Sequence, residues 1–176
     1  MRPLFNQSLF HPGAPEFLTN EITIVDFSAF PEATAYGLAE ITLNDLWHSS
    51  RNGLFTETGL VICVDECQGL SFSQGSAIYN LVNQGRKYRT GIILATQDFR
   101  QTRDIQNIFS SCDLKYYLRQ TVENAKYLAK NLSPKSLKTM VSNLTTLPIG
   151  TYYIDGPKEM SKMDLTGLLK ARNILD

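Results

Sequence analysis

Leu60-Val61-Ile62-Cys63-Val64-Asp65-Glu66 is an unbroken apolar run closed by two adjacent acids, and its reading decides the fold. Gly59 bounds the run, and its length and β-branched content predict a strand buried on both faces. Two carboxylates at the end of such a strand are costly unless something uses them. In a parallel α/β sheet, ligands sit outside the carboxyl ends of the strands. Asp65 and Glu66 therefore stand where a metal-bound phosphate would be handled. The alternative is that they only cap the next helix or face water.

Working outward, Ile22-Thr23-Ile24-Val25-Asp26-Phe27 reads as another strand. Pro31 then opens a helix, with Glu32 in its first turn where an acid suits the dipole. That helix carries Tyr36, Leu38, Ile41, Leu43, Leu46 and Trp47 and stops near Asn52-Gly53. Ser73 is the expected cap of a helix running through Ile78, Leu81 and Val82 to about Tyr88. Gly91-Ile92-Ile93-Leu94-Ala95-Thr96-Gln97 is a second buried strand, again ending in polar residues. A short helix at 101–109, a strand at 114–119 and a helix at 122–132 follow, and Ser133-Pro134 starts another helix that ends near Asn143. A strand at 150–156 has its hairpin partner at 158–163, and the tail from 165 to 175 reads as helix. Residues 1–20, with Phe5, Phe10 and Phe17 among Pro, Gly and Asn, read as irregular chain. Strands alternating with helices give βαβ units and a mostly parallel sheet flanked by helices, with the late β-hairpin making it mixed.

The 176 residues suffice for one domain with a sizeable core. Apolar content of 43% and charged content of 19% match an ordinary globular mix. With 17 basic and 17 acidic residues, no global field draws the chain onto DNA or anionic lipid. No apolar run approaches the roughly 20 residues of a membrane span, and residues 1–7 lack a signal-peptide core. Cys63, Cys67 and Cys112 form neither an even disulfide framework nor a paired zinc motif, and they read as reduced core cysteines. His11 and His48 have no nearby partners for a metal site. Tyr116-Tyr117 and Tyr152-Tyr153 read as strand pairs with one ring inside and one outside, with base stacking as the alternative. Lys87, Arg89, Arg100 and Arg103 read as a solvated face, with a basic patch as the alternative.

Three strand ends carry polar groups: Asp26, Asp65-Glu66 and Thr96-Gln97. Parallel strands bring such ends to one edge of a sheet. An acid pair beside a Thr-Gln suggests metal-assisted hydrolysis, in which an Asp holds Mg2+, a Glu positions or deprotonates water, and a Gln senses the γ-phosphate. The matching phosphate cradle, G-x-x-x-x-G-K-[ST], does not occur in the sequence. Gly85-Arg86-Lys87 and Gly156-Pro157-Lys158 have neither its spacing nor its Ser/Thr. A dinucleotide fingerprint and a nucleophile elbow are also missing, which speaks against an ordinary α/β hydrolase.

The run from Leu60 to Gln68 resembles the Walker B strand, hhhhDE-x-Q with h apolar, of the FtsK/HerA superfamily of P-loop ATPases. Gly85-Arg86-Lys87-Tyr88-Arg89-Thr90-Gly91, running into Ile92-Ile93-Leu94-Ala95-Thr96-Gln97, is similar to the sensor-strand block of its VirB4/TraE and HerA branch. Ile24-Val25-Asp26-Phe27-Ser28-Ala29-Phe30 resembles the strand those proteins carry before Walker B, and Leu147-Pro148-Ile149-Gly150-Thr151-Tyr152 a late strand. The resemblance covers residues 22–155, and its order and spacing are more specific than any one motif. It implies a RecA-like (ASCE P-loop NTPase) domain over residues 21–176 behind an irregular segment 1–20. It implies an ATP-driven motor that moves DNA or protein in conjugation or type IV secretion.

By the same resemblance Asp65 matches the Mg2+-holding Walker B acid, Glu66 the catalytic glutamate and Gln97 the sensor glutamine. Thr96 would lie beside the nucleotide. Arg86, with Arg89 and Arg119 as further candidates, would reach the nucleotide of a neighbouring subunit. The implied cofactors are ATP and Mg2+, and the implied partners are further copies in a hexameric ring, with DNA or conjugation and secretion proteins. The implied place is the cytoplasm or the inner face of the membrane. The Walker A strand and loop are expected to precede residue 1, so the chain is expected to be a carboxy-terminal portion, inactive alone. In that sheet the Walker A strand lies between strands 91–96 and 114–119, which then either pair directly or leave a gap for another chain. The competing expectation is a non-enzymatic, degenerate ATPase-like module that docks on a partner through open sheet edges.

Overall fold

The computed structural model describes residues 22–98, 100, 102–156 and 161–164. The chain divides into two compact units, Met1–Gln97 and Asp98–Asp176. In the first, helix α1 (Glu32–Arg51) follows Pro31, with Glu32 in its first turn and His48 and Arg51 in its last. Both placements oppose the helix dipole. Its Leu43, Trp47 and Ser50 are buried. Trp47 meets Tyr88 edge-on with ring centroids 5.5 Å apart. The Thr90 hydroxyl donates a buried 2.9 Å hydrogen bond to Ser50 Oγ.

Strand β1 (Leu60–Val64) pairs in parallel with β2 (Thr90–Leu94), Ile62 opposite Ile92 and Val64 opposite Leu94. Helix α2 (Ala77–Gln84) and a 3-10 turn, Gly85–Tyr88, make the crossover, so the expected βαβ unit is present. Gly85 packs so closely on the start of β2 that a Cβ there would lie 2.5 Å from the Thr90 carbonyl oxygen. Arg89 follows in the left-handed region at φ 55°. Its guanidinium donates to the Thr56 carbonyl at 2.8 Å and the Glu57 carbonyl at 3.2 Å, tying the loop before β1 to the start of β2.

Four expectations fail in this unit. Residues 22–27 form no strand: Ile22, Ile24 and Val25 are exposed, and β1 has β2 as its sheet partner. Asp26 closes a turn instead, accepting a 2.8 Å bond from Ser28 N–H, and this bond with the Ser28 hydroxyl holds its carboxyl below the usual value. The β1–β2 pair is buried on one face only, because Val61 and Ile93 are 65% and 57% exposed. Cys63 shares that open face and is exposed, not a core cysteine. Ser73 does not cap α2; Ser76 does, accepting from Tyr79 N–H at 3.2 Å, while Ser73 opens the turn through Gly75 that sets Ser76 in place.

The thiols offer a direct check. Cys67 is fully buried, and Cys112 is half-buried with its thiol pushed up by burial. A maleimide added to the native chain is expected to modify Cys63 at least tenfold faster than Cys67, read by peptide mass mapping. Equal rates would show that the Val61–Cys63–Ile93 face is covered.

The second unit holds α3 (Arg103–Ser111), β3 (Lys115–Tyr117), α4 (Val122–Leu132), a 3-10 turn Pro134–Ser136, α5 (Leu137–Thr145), β4 (Thr151–Asp155) and β5 (Ser161–Asp164). Thr102 and Thr121 cap α3 and α4 by accepting from Ile105 and Asn124 N–H. β4 lies between β3 and β5 in an antiparallel sheet, so the expected hairpin is present. Within this unit β3 pairs with β4, Tyr116 opposite Ile154. Ala125, Leu128, Ala129, Met140, Leu144 and Leu147 form the core, with Tyr117 and Tyr153 packed on it. Burial, with the charge of Asp155 adding to it, pushes the Tyr117 phenol up to about 12. The expected irregular start at 1–20, His11 and the helical tail at 165–175 lie outside the described residues. Among the described residues no helix is long and apolar enough to cross a membrane.

Candidate functional site at the β1 and β2 strand ends

The parallel ladder runs on past both strands. Ala95 N–H donates to the Val64 carbonyl at 2.9 Å, and Cys67 N–H donates to the Ala95 carbonyl at 3.0 Å. These bonds place Asp65-Glu66 beside Thr96-Gln97 on one rim. Glu66 adopts the left-handed conformation, φ 50° and ψ 44°, which is uncommon for any residue with a Cβ. Its N–H is held by Asp65 Oδ1 at 3.0 Å. The left-handed residue turns the chain out of the strand and into the 3-10 turn Cys67–Gly69, whose Cys67 is buried as an anchor.

The Glu66 carboxylate is held by two amides. Gln97 Nε2 donates to Oε1 at 2.5 Å, and Gln68 Nε2 donates to Oε2 at 2.6 Å. Thr96 donates its hydroxyl to Gln68 Oε1 at 2.9 Å. Helix α1 contributes Tyr36, whose ring lies against Gly69 so closely that any Cβ at 69 would run into it. Partial burial first, then the charges of Glu32 and Glu66, hold the Tyr36 phenol above its ordinary value. Asp65 is exposed at the head of this group.

Of the sequence-predicted residues, Asp65, Glu66, Thr96 and Gln97 are brought together. Arg86 is not: it precedes β2 in the 3-10 turn, at the other end of a five-residue strand from Thr96. At about 3.3 Å per residue, the two lie roughly 15 Å or more apart. Arg89, Lys87 and Arg86 all stand at the start of β2, not at its end, and Arg89 is engaged in holding the 56–57 loop. Asp26 lies in its own turn and makes no strand end. Gln68 closes the Walker B-like run hhhhDE-x-Q, yet the sequence reasoning gives it no role at the site; its signal is that motif position, two residues after Glu66.

The donor set on the rim consists of carboxylate, amide and hydroxyl groups, the hard oxygen ligands and polar contacts that suit Mg2+ and phosphate. Among the described residues no cluster of three or more His, Cys, Asp or Glu side chains encloses a cation. A separate cavity of about 350 Å³ is lined by Glu40, Asn44, Ser71, Ser73, Gln74 and Ile78, and Glu40 Oε1 accepts a 2.7 Å bond from Ser71 N–H there. None of the rim residues lines it.

No protein-family model matches this sequence, and comparison with curated proteins finds no relative. Solved structures share the fold, among them two that match over most of this chain. One is a bacterial conjugative coupling protein, TrwBdeltaN70 in an unbound monoclinic form, with a TM-score of 0.59 and 16% identity. That match covers 74% of this chain and 37% of the coupling protein. The other is the genome packaging NTPase B204 from Sulfolobus turreted icosahedral virus 2, in complex with AMPPCP, with a TM-score of 0.52 and 17% identity. It covers 70% of this chain and 60% of that NTPase. The chain thus spans less than two thirds of either protein. The likeness is one of architecture: this chain has the α/β, RecA-like fold of the P-loop NTPases.

Proposed function

We propose that this chain is the Walker B and sensor portion of an ATPase motor of the FtsK/HerA superfamily, in its VirB4-like branch, with residues 21–176 as its RecA-like part. The observation that carries the reading is the hydrogen bond from Gln97 to Glu66, which joins the two strand ends where the resemblance implies a sensor and a catalytic acid. The fold shared with a coupling protein and a packaging NTPase supports it. ATP with Mg2+ would supply the electrophilic phosphorus and the cation that neutralises charge on the leaving oxygens. Asp65, exposed at the rim, would hold that cation through water. Glu66 takes a proton from water at a carboxylate oxygen, and Gln97 keeps that carboxylate facing the rim.

The phosphate-cradling loop and its Lys would come from another segment, since the motif does not occur in these residues. Arg86 is exposed and distant from its own rim, which suits action on the nucleotide of an adjacent subunit in a hexameric ring. DNA or protein of a conjugation or secretion system would be the cargo, handled in the cytoplasm or at the inner face of the membrane. Calorimetric titration of this chain with Mg-ATP is expected to show no binding tighter than about 1 mM, which corresponds to roughly 4 kcal/mol. Micromolar binding would overturn the shared-site reading and require a phosphate site of another kind.

A second reading is a non-enzymatic module that docks on a partner. The open Val61–Cys63–Ile93 face favours it, since exposed apolar surface at a strand pair marks association. A stable oligomer that forms without nucleotide, with no effect of Glu66 substitution in any assembly, would favour this reading over the motor.

A further inference from the structure

We propose that Gln68 is a positioning residue for Glu66, and that the Thr96 hydroxyl sets the orientation of its amide. The inference rests on the proposed function for its purpose but on hydrogen bonding alone for its geometry. A carboxylate offers only acceptors, so the group that Gln68 turns toward Glu66 Oε2 at 2.6 Å must be its NH2. Its carbonyl oxygen then points away, and that oxygen receives the Thr96 hydroxyl at 2.9 Å. Thr96 is therefore a donor in this network. Gln97 closes the other side on Oε1.

The Thr96–Gln68–Glu66–Gln97 chain spans both strand ends, and each of its three bonds joins a donor to an acceptor. It leaves one lone-pair direction on each Glu66 oxygen for water, because a carboxylate oxygen accepts two hydrogen bonds. The network therefore aims the carboxylate without silencing it. Glu66 sits at φ 50°, and the two amide bonds hold its side chain over the rim. Thr96 thus contributes through Gln68, in place of the direct nucleotide contact that the resemblance implies.

Side-chain amide NMR of the intact chain tests this without nucleotide. In the native protein, the Gln68 NH2 signals are expected to be dispersed and rigid on the nanosecond scale, like those of Gln97. Thr96→Val keeps the shape of the side chain and removes the hydroxyl. It is expected to collapse the Gln68 NH2 signals to their free, mobile positions while the fold, checked by backbone shifts, stays intact. Thr96→Ser restores the hydroxyl and is expected to restore the dispersed signals. Unchanged Gln68 signals in Thr96→Val, or loss in Thr96→Ser equal to that in Thr96→Val, would overturn the proposal.

Where ATP turnover can be measured in the assembled ring, Thr96→Val and Gln68→Ala are expected to lower kcat about tenfold with KM held within about twofold. An assembly that never turns over ATP, with the NMR pattern as expected, would refute the ATPase reading and leave the positioning network standing. Normal turnover with mobile Gln68 signals would refute the network alone.

Discussion

Glu66→Gln is expected to lower kcat for ATP hydrolysis in the assembled ring by about two to four orders of magnitude, the range for losing a general base. Nucleotide affinity is expected to stay within about threefold, because Glu66 is not the cation ligand in this reading. Part of the effect is loss of the base. The rest follows from the hydrogen bonding at the rim. Gln97 and Gln68 each aim an NH2 at the Glu66 carboxylate. A glutamine at 66 has one acceptor oxygen and one NH2, so one of the two neighbours would face a donor. That neighbour must rotate, and if it is Gln68 the Thr96 hydroxyl has to turn from donor to acceptor to keep its bond. The left-handed backbone at 66 costs glutamine about as much as glutamate, so the change does not act through the main chain. Turnover within about threefold of the parent would remove Glu66 from the chemistry and leave the docking-module reading.

The rim was legible in the sequence because its cause is local and strong. β1 and β2 are short, Val/Ile-rich and separated by one helix, so parallel pairing follows and brings Glu66 and Gln97 together. Helix α4 was legible for a similar reason: Thr121 caps it, and Ala125, Leu128, Ala129 and Leu132 recur on one face. The misreadings share another cause. Residues 22–27 have the composition of a strand, yet composition says only that a side chain fits a pleated surface, not that a partner lies beside it. The apolar run around Cys63 suggests burial, but its burial depends on what covers the second face of the pair. Ser73 and Ser76 are both plausible caps, and the turn at Gly75, φ 90°, chooses between them. Gln68 acts through the 3-10 turn and left-handed Glu66, which no periodicity encodes. Arg86 carries the right chemistry at the wrong end of β2, a distinction that depends on where the 3-10 turn stops.

Leu144→Ala is expected to destabilise the second unit by about 2–5 kcal/mol, the range for a buried leucine truncated to alanine. Leu144 is fully buried in α5 and belongs to the same core as Ala125 and Ala129 of α4. Alanines on one helix bring the other helix close, so the leucine fills the space between them. Where in that range the loss falls depends on how far Leu128, Met140 and Leu147 of the same core relax into the void. The same residue ties the helices through its backbone, since its carbonyl accepts from Gln120 N–H at 3.0 Å, just before α4 begins. That bond survives the substitution, so the loss reports packing alone. Ala125→Leu makes the opposite test, because a larger side chain at a fully buried position forces α4 and α5 apart and costs about 1–3 kcal/mol. Urea unfolding followed by tyrosine fluorescence reads both, as the second unit carries Tyr117, Tyr127 and Tyr153 against this core. Packing of this kind requires both variants to lower the midpoint with little change in slope. A loss below about 0.5 kcal/mol for Leu144→Ala would mean that the position is solvated and that α4 and α5 do not meet through it.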